Sequence, residues 1–147
     1  MVVVFNRVKS ATVIEQEDGI VLIKAFFIDT FHEINLELKV NINEMLVVSA
    51  EADMVRTPHP DCPKAATEVE KLCGIRIGPG ARKAILKAVG HADGCTHLAD
   101  LALDAFKAVI QANFKIQKQE MTPEERLAKF ADQLGGTCYH WTRVVKK

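Results

Sequence analysis

Alternating apolar and polar residues in the first third of the chain predict β-strands. The clearest alternation runs from Ile34 to Ile42, where an apolar residue occupies every second position. Because successive side chains of a strand point to opposite faces, this segment would bury one face and expose the other to water. Further apolar or β-branched stretches predict strands at residues 2–8, 13–16, 20–30 and 45–52. The pattern favours an antiparallel β-meander of four to five strands with one apolar face.

Two groups of turn residues divide the chain. Asp18-Gly19 separates two apolar runs, and glycine tolerates the positive φ that a tight hairpin needs, so a hairpin is predicted here. Further on, Pro58, Pro60 and Pro63 fall within six residues. Proline cannot donate a backbone hydrogen bond, so this segment is predicted to be a stiff loop between the sheet and the helices.

Helical spacing of apolar residues marks the rest of the chain. It predicts helices over residues 64–73, 81–89 and 95–118, followed by a helix that starts at Thr122 and ends near Leu134. Thr122 and Glu125 have the spacing of a capping box. We expect a final strand or an extended tail over residues 137–145. The fold class is therefore predicted as a single α+β domain, residues 1–147, with three to four helices covering one face of the meander.

Composition narrows the classes of partner. Lys plus Arg total 19 and Asp plus Glu total 19, so the formal net charge is zero. Nucleic acids and anionic membranes attract a basic excess, and no apolar run approaches the roughly 20 residues of a membrane span. We expect a cytoplasmic protein without nucleic-acid or membrane partners. A protein partner or a homodimer stays open at this point.

The four cysteines are Cys62, Cys73, Cys95 and Cys138. No export signal is visible and cytoplasmic thiols are kept reduced, so we do not expect a disulfide framework. Each cysteine is then a small buried side chain, a metal ligand or a nucleophile. Cys73 is in phase with the apolar residues of its predicted helix, which favours core packing for it.

The stretch Gly94-Cys95-Thr96-His97-Leu98 holds a thiol and an imidazole at the predicted start of the longest helix. Unpaired backbone N–H groups and the helix dipole favour a thiolate at such a position. Cys95 and His97 could therefore act as a pair of metal ligands, or as a nucleophile and its base. The alternative is a Cys95 that only packs, with His97 facing solvent.

Two more clusters repeat this chemistry. Cys62 follows His59 in the proline-rich loop, and Cys138 precedes His140 by two residues, which is also the spacing of Cys95 and His97. In an extended segment, residues two apart point to the same side, so Cys138 and His140 could face one centre. For each of these residues an ordinary role in packing or at the surface is the alternative.

Together the three clusters predict a metal site. Cys62, Cys95 and Cys138 would supply thiolates, and His97 or His140 would be the fourth ligand, for zinc or for an iron–sulfur cluster. The chain lacks the close Cys-x-x-Cys pairs of a zinc finger. One rival hypothesis is a thiol-dependent enzyme with Cys95 as nucleophile and His97 as base. The other is a small-molecule or partner-binding domain whose cysteines only pack.

Acidic and histidine residues outside the clusters are expected to be solvated. Asp29, His32 and Glu33 fall at a junction between predicted strands. Asp100 and Asp104 lie one turn apart on the long predicted helix. Charged side chains at such positions usually face water.

Three segments carry a family resemblance. With Pro58-x-Pro60-x-Cys62, Gly94-Cys95-Thr96-His97-Leu98-x-Asp100-Leu101 and Cys138-x-His140, the chain resembles an uncharacterised bacterial family catalogued as domain of unknown function 2889. The resemblance covers most of the chain, from the first strands to Cys138. It implies that the three clusters belong to one pattern, but it implies no activity.

A second likeness concerns the long predicted helix. Cys95 and the apolar stripe that runs to Ile110 are similar in style to the long helix of NifU-type iron–sulfur scaffold proteins. Those proteins also combine a small antiparallel sheet with helices. The likeness would imply iron–sulfur cluster assembly only by analogy of fold.

Overall fold

The computed structural model describes residues 1–118 and 121–144, apart from the side chain of Lys118. In these residues, four antiparallel strands form one sheet. The strands are β1 (Arg7–Glu15), β2 (Ile20–Asp29), β3 (Glu33–Asn41) and β4 (Leu46–Arg56). Neighbours in sequence are neighbours in the sheet, so the predicted antiparallel meander is confirmed.

Strand β1 differs from its prediction. The two short strands expected at residues 2–8 and 13–16 are wrong, because one continuous strand runs from Arg7 to Glu15. Polar residues such as Lys9 and Ser10 interrupt the apolar pattern there. They do not interrupt the strand, because an edge strand needs apolar residues only where it contacts the core.

The turn between β1 and β2 matches its prediction. Asp18 and Gly19 have φ angles of 57° and 70°, in the left-handed region. Gln16 donates its backbone N–H to the carbonyl of Ile20 at 2.9 Å and closes the hairpin. Glycine adopts a positive φ without a steric cost, so the Asp-Gly pair suits this turn.

Five helical segments follow the sheet in the part of the chain that the structure describes. They are a 3₁₀ helix (Cys62–Leu72), α1 (Ala81–Val89), α2 (Thr96–Lys118), α3 (Pro123–Leu134) and α4 (Tyr139–Val144). The sheet together with these helices confirms the α+β class. The capping box is also confirmed, since Thr122 Oγ1 accepts the N–H of Glu125 at 3.3 Å and Glu125 Oε2 accepts the N–H of Thr122 at 2.8 Å.

The expectation that Cys73 packs in the core is wrong, because its side chain is exposed. Its segment is a 3₁₀ helix, which has three residues per turn. Val69 and Leu72 therefore share one buried face, and Cys73 falls a third of a turn away from it.

The predicted strand or tail over residues 137–145 is also wrong. Residues Tyr139–Val144 form α4, and Thr142 donates its backbone N–H to the carbonyl of Cys138 at 3.0 Å. Tyrosine, tryptophan, threonine and valine favour strands, but this segment has no neighbouring strand to pair with in the described residues. Local helical hydrogen bonds satisfy its backbone instead.

One face of the sheet forms the core. Alternate residues of β2 and β3 are buried, from Val21 to Phe27 and from Ile34 to Val40. Helix α2 supplies the largest helical share of the core, with Leu98, Leu101, Ala102, Ala105, Phe106 and Val109 buried. The apolar faces that the sequence periodicity predicts are therefore the faces that pack together.

The chain divides into two units, Met1–Gln111 and Ala112–Lys147. The first unit contains the sheet, the 3₁₀ helix, α1 and the greater part of α2. In the second unit, the rings of Phe114 and Phe130 pack edge to face with centroids 4.9 Å apart. The single domain expected over residues 1–147 stays a prediction. Within the described residues, none of the helices is long and apolar enough to cross a membrane.

Candidate metal centre

The turn between β2 and β3 buries an acid. Asp29 ends β2, and its Oδ1 accepts the backbone N–H groups of Phe31 at 2.8 Å and His32 at 2.7 Å. The same oxygen lies 3.0 Å from Nδ1 of the His32 ring. Arg7, at the start of β1, donates from Nη2 to Asp29 Oδ2 at 3.0 Å. Both carboxylate oxygens therefore have partners, as a buried charge requires.

Arg56 holds the backbone of this turn. Its guanidinium donates to the carbonyls of Thr30 and Asp29, both at 2.9 Å, and to the carbonyl of His32 at 3.2 Å. Arg56 ends β4, so the far edge of the sheet fixes the turn that carries the acid and the histidine. Three hydrogen bonds from one side chain therefore hold the backbone on both sides of the turn.

Asp29 stays ionised. Burial raises the pKa of its carboxyl, but the hydrogen bonds from the N–H of Phe31, from the ring and N–H of His32 and from Arg7 outweigh this effect. The net result is a pKa well below the ordinary range of an aspartate. The group is thus a permanent negative charge beside His32 at neutral pH.

Asp29 also defines the tautomer of His32. The carboxylate can only accept, so neutral His32 carries its proton on Nδ1, where it faces Asp29 Oδ1. Nε2 then keeps its lone pair. A carboxylate behind an imidazole in this way orients many metal-binding histidines.

His97 reaches the same place from α2. Its ring lies in the first turn of the helix, with its centroid 4.1 Å from that of His32 and 5.1 Å from that of Phe27. Burial lowers the pKa of His97, and repulsion from a protonated His32 and from Arg7 lowers it further. A neutral imidazole at pH 7 is the form that binds metal ions.

Gly94 sets the approach of this helix to α1. A Cβ at position 94 would lie 2.1 Å from the carbonyl oxygen of Val89, which leaves room only for glycine. The next residue, Cys95, donates its backbone N–H to that same carbonyl at 2.8 Å. Cys95 is half-buried, and its Sγ lies 3.9 Å from Nδ1 of His97. The thiol and imidazole predicted to share a site are therefore neighbours.

Asp29, His32 and His97 form a cluster of potential ligands. Each offers one ligand atom, and these atoms all lie within 4.8 Å of one another. In the residues that the structure describes, this is the one group of three or more Cys, His, Asp or Glu side chains that meets this distance. Two imidazoles and a carboxylate are donors that zinc and ferrous iron accept.

The other residues predicted as ligands belong to other segments of the chain. Cys62 is half-buried at the start of the 3₁₀ helix. Cys138 and His140 are exposed and belong to the second unit, where the His140 ring packs against Trp141. The complete ligand set of Cys62, Cys95, Cys138, His97 and His140 stays a prediction.

The expectation that Asp29 and His32 are solvated is wrong, because both are buried. A signal was present in the sequence. An aspartate that ends an apolar strand and stands three residues before a histidine can close a turn on its own backbone. What the sequence does not reveal is that Arg7 and His97, which come from distant segments, lie beside these two residues.

Of the two acids on the long helix, Asp100 is exposed as expected, whereas half-buried Asp104 pairs with Lys9 at 2.5 Å.

The opposite face of the sheet carries a shallow concavity of about 510 Å³. It is lined by residues such as Thr12, Lys24, Phe26 and Glu37, which alternate with the buried ones. The histidine cluster lies on the core side of the sheet, so this concavity is a different place from the candidate metal centre.

A comparison with models of protein families gave a match, and it falls in the first unit. The model of the family described as "Protein of unknown function (DUF2889)" matches residues 5–111, so the chain belongs to this family. The resemblance inferred from Gly94 to Leu98 is confirmed. The match ends at the last residue of the first unit, and Cys138 and His140 lie beyond it.

Two further comparisons, one with curated proteins and one with solved structures, gave no match. The likeness to NifU-type scaffold proteins is therefore not shown.

Proposed function

We propose that the first unit binds a single divalent transition-metal ion, zinc or ferrous iron, through the imidazoles of His32 and His97. The observation that carries this proposal is the mutual approach of the potential ligand atoms of Asp29, His32 and His97 to within 4.8 Å. Zinc–nitrogen bonds are about 2.0–2.1 Å long, so two nitrogen ligands of a tetrahedral ion lie roughly 3.4 Å apart. Small side-chain rotations would close the remaining gap.

Asp29 supports the site from behind His32. Its two oxygens already accept hydrogen bonds from Arg7, Phe31 and His32, so direct coordination would require it to give up some of them. A role in orienting His32 keeps all of these bonds. It also makes the imidazole more basic and so a better ligand.

Cys95 is the nearest thiol donor. Its Sγ is 3.9 Å from Nδ1 of His97, and a sulfur and a nitrogen on one tetrahedral zinc ion lie roughly 3.6 Å apart. Cys95 does not belong to the group whose ligand atoms lie within 4.8 Å of one another, so its thiol would have to turn toward His32 to join the two histidines. Such a site of two histidines and one cysteine would leave a fourth position for water or substrate. An iron–sulfur cluster would need further thiolates, which Cys62 and Cys138 would have to supply.

Metal binding to the purified 147-residue chain tests the proposal. We expect about one zinc or iron ion per chain by elemental analysis after desalting. The variants His32→Ala and His97→Ala should lose the ion, and Cys95→Ser should bind it more weakly. His59→Ala is the matched control, because His59 is exposed in the proline-rich loop.

Two results would count against this ligand set. A chain that binds neither metal, or histidine variants that bind as well as the native chain, would overturn the proposal. Loss of the ion in Cys62→Ser, Cys138→Ser and His140→Ala would instead support the ligand set predicted from the sequence.

The 3.9 Å contact between Cys95 Sγ and His97 Nδ1 also favours a second candidate, a thiol-dependent enzyme. His97 would remove the proton from Cys95, and the thiolate would attack an electrophilic substrate. In metal-free protein, iodoacetamide should then alkylate Cys95 faster than exposed Cys138, and His97→Ala should slow the reaction. A faster reaction at Cys138 would reject this candidate.

A further inference from the structure

The two edges of the sheet are not equivalent. β4 is covered in part by the segment after the 3₁₀ helix: Val47 donates its N–H to the carbonyl of Ile75 at 3.1 Å, and Gly74 donates to the carbonyl of Val47 at 2.9 Å. β1 lies at the other edge and has β2 as its one partner in the described part of the sheet. β1 therefore presents the backbone groups of its outer side for pairing.

The hydrogen-bond pattern defines which residues face outward. The carbonyl of Asn6 accepts from Thr30 at 3.2 Å, and Gln16 donates to Ile20 at 2.9 Å, so even-numbered positions of β1 pair with β2. The N–H and C=O groups of Arg7, Lys9, Ala11, Val13 and Glu15 point away from the sheet. A second strand would bond to these residues.

We propose that this edge pairs with the same edge of a second copy of the chain, antiparallel and centred on Ala11. The two sheets then continue into one, and a two-fold axis passes between the two Ala11 residues. Such an arrangement is closed, because both copies use the same edge, β1, against each other. The edge shares Arg7 with the proposed metal site, where Arg7 pairs with Asp29, but the backbone pairing does not require a bound metal.

Charge supports this register. With Ala11 opposite Ala11, Glu15 of each copy lies opposite Arg7 of the other, whose guanidinium also pairs with Asp29 of its own chain, so two positions of opposite charge face each other. A register centred on Lys9 would instead place two lysines opposite each other. The nine-residue strand overlaps along its whole length only when Ala11 is at the centre.

Apolar pairing supports the same register. Val8 and Ile14 are 47% and 42% exposed, and both lie on the face of the sheet away from the core. In the proposed pairing each Val8 lies opposite Ile14 of the other copy. Cross-strand β-branched pairs of this kind stabilise antiparallel sheets.

β1 also lacks the usual protection of a free edge. It contains no proline, and its pairing with β2 has no bulge. Lys9 is the charged residue near its centre, but its Nζ lies 2.5 Å from Oδ2 of Asp104 in the same chain. Prolines and bulges keep exposed edges apart, so an edge without them is available for pairing.

Sedimentation equilibrium on the 147-residue chain tests the proposal. We expect the native chain to be a dimer and Glu15→Arg to dimerise at least about tenfold more weakly, because two attractive pairs become two repulsive ones. Glu17→Arg is the matched control: it makes the same change of charge in the exposed turn after β1 and should leave the dimer unchanged.

Ala11→Pro tests the backbone pairing. The Ala11 N–H points outward, so proline removes no bond to β2 but would remove bonds at the two-fold axis. We expect a monomer whose far-UV circular dichroism matches that of the native chain. If proline unfolds the chain, the Glu15→Arg comparison decides. A monomeric native chain, or a Glu15→Arg variant that dimerises like Glu17→Arg, would overturn the proposal.

Discussion

The ring centroids of His32 and His97 lie 4.1 Å apart, although one residue belongs to the turn between β2 and β3 and the other to the first turn of α2. Phe27 contacts both rings, with centroid distances of 5.9 Å and 5.1 Å. The two imidazoles meet because α2 packs on the core face of the sheet. Asp29 then fixes one ring, and Cys95 adjoins the other.

Asp29→Asn should weaken both the fold and metal binding. The substitution removes the negative charge beside Arg7 and the His32 ring, and it replaces the oxygen that accepts from Arg7 by an NH2 group that cannot accept, which costs about 2 kcal/mol of unfolding free energy. Loss of the carboxylate behind His32 should lower zinc affinity about 10–100-fold. Urea unfolding with a chelator and zinc titration measure the two effects. Exposed Asp100→Asn is the control for charge and should change stability little.

Stability should fall in two steps as the pH is lowered. The pKa of His97 in the folded chain lies below the ordinary value of about 6.5, so the unfolded chain binds the proton first. The free energy of unfolding therefore decreases as the pH falls below about 6.5. The pKa of Asp29 is also depressed, so a second decrease begins below about 4.

Urea unfolding of metal-free protein across this pH range measures both steps. His97→Phe should abolish the first step and leave the second, because phenylalanine keeps an aromatic ring but does not titrate. A native chain whose stability is constant between about pH 7 and 5 would contradict the assignment to His97.

Gly94→Ala should destabilise the chain by about 2 kcal/mol. The new Cβ would lie 2.1 Å from the carbonyl oxygen of Val89, and a backbone atom cannot move away without displacing α1. The shift would also move Cys95 and His97. Gly78→Ala is the matched control, since its Cβ meets nothing within 4 Å. Thermal unfolding of the two variants compares the effects, and equal melting temperatures would refute the steric argument.

Thr122→Ala should destabilise α3 by about 1 kcal/mol, because the N–H of Glu125 loses its capping acceptor. Thr122→Ser keeps the hydroxyl and should retain nearly all of that stability. Hydrogen exchange of the amides at the start of α3 measures the difference. If the alanine and serine variants exchange equally, the capping box contributes nothing.

The sequence predicted most of the secondary structure correctly. The strict alternation from Ile34 to Ile42 became β3, and the Asp18-Gly19 turn formed as expected. α1 and α2 also follow their apolar periods closely. These features depend on residues within a few positions of each other, so a local pattern is sufficient to predict them. The error at Cys73 arose because its segment is a 3₁₀ helix and not an α-helix. The error at residues 139–144 arose because this segment has no strand to pair with in the described residues.

The sequence by itself also determined that Cys95 and His97 stand together at a helix start, because their spacing and the helix signal are local. Only the tertiary structure decided that Asp29 and His32 are buried beside them. Burial of a charged group depends on partners such as Arg7, which lies 22 residues away from Asp29 in the chain and pairs with it across β1 and β2. Such partners are brought together by strand register and helix packing, which one short segment of sequence does not specify.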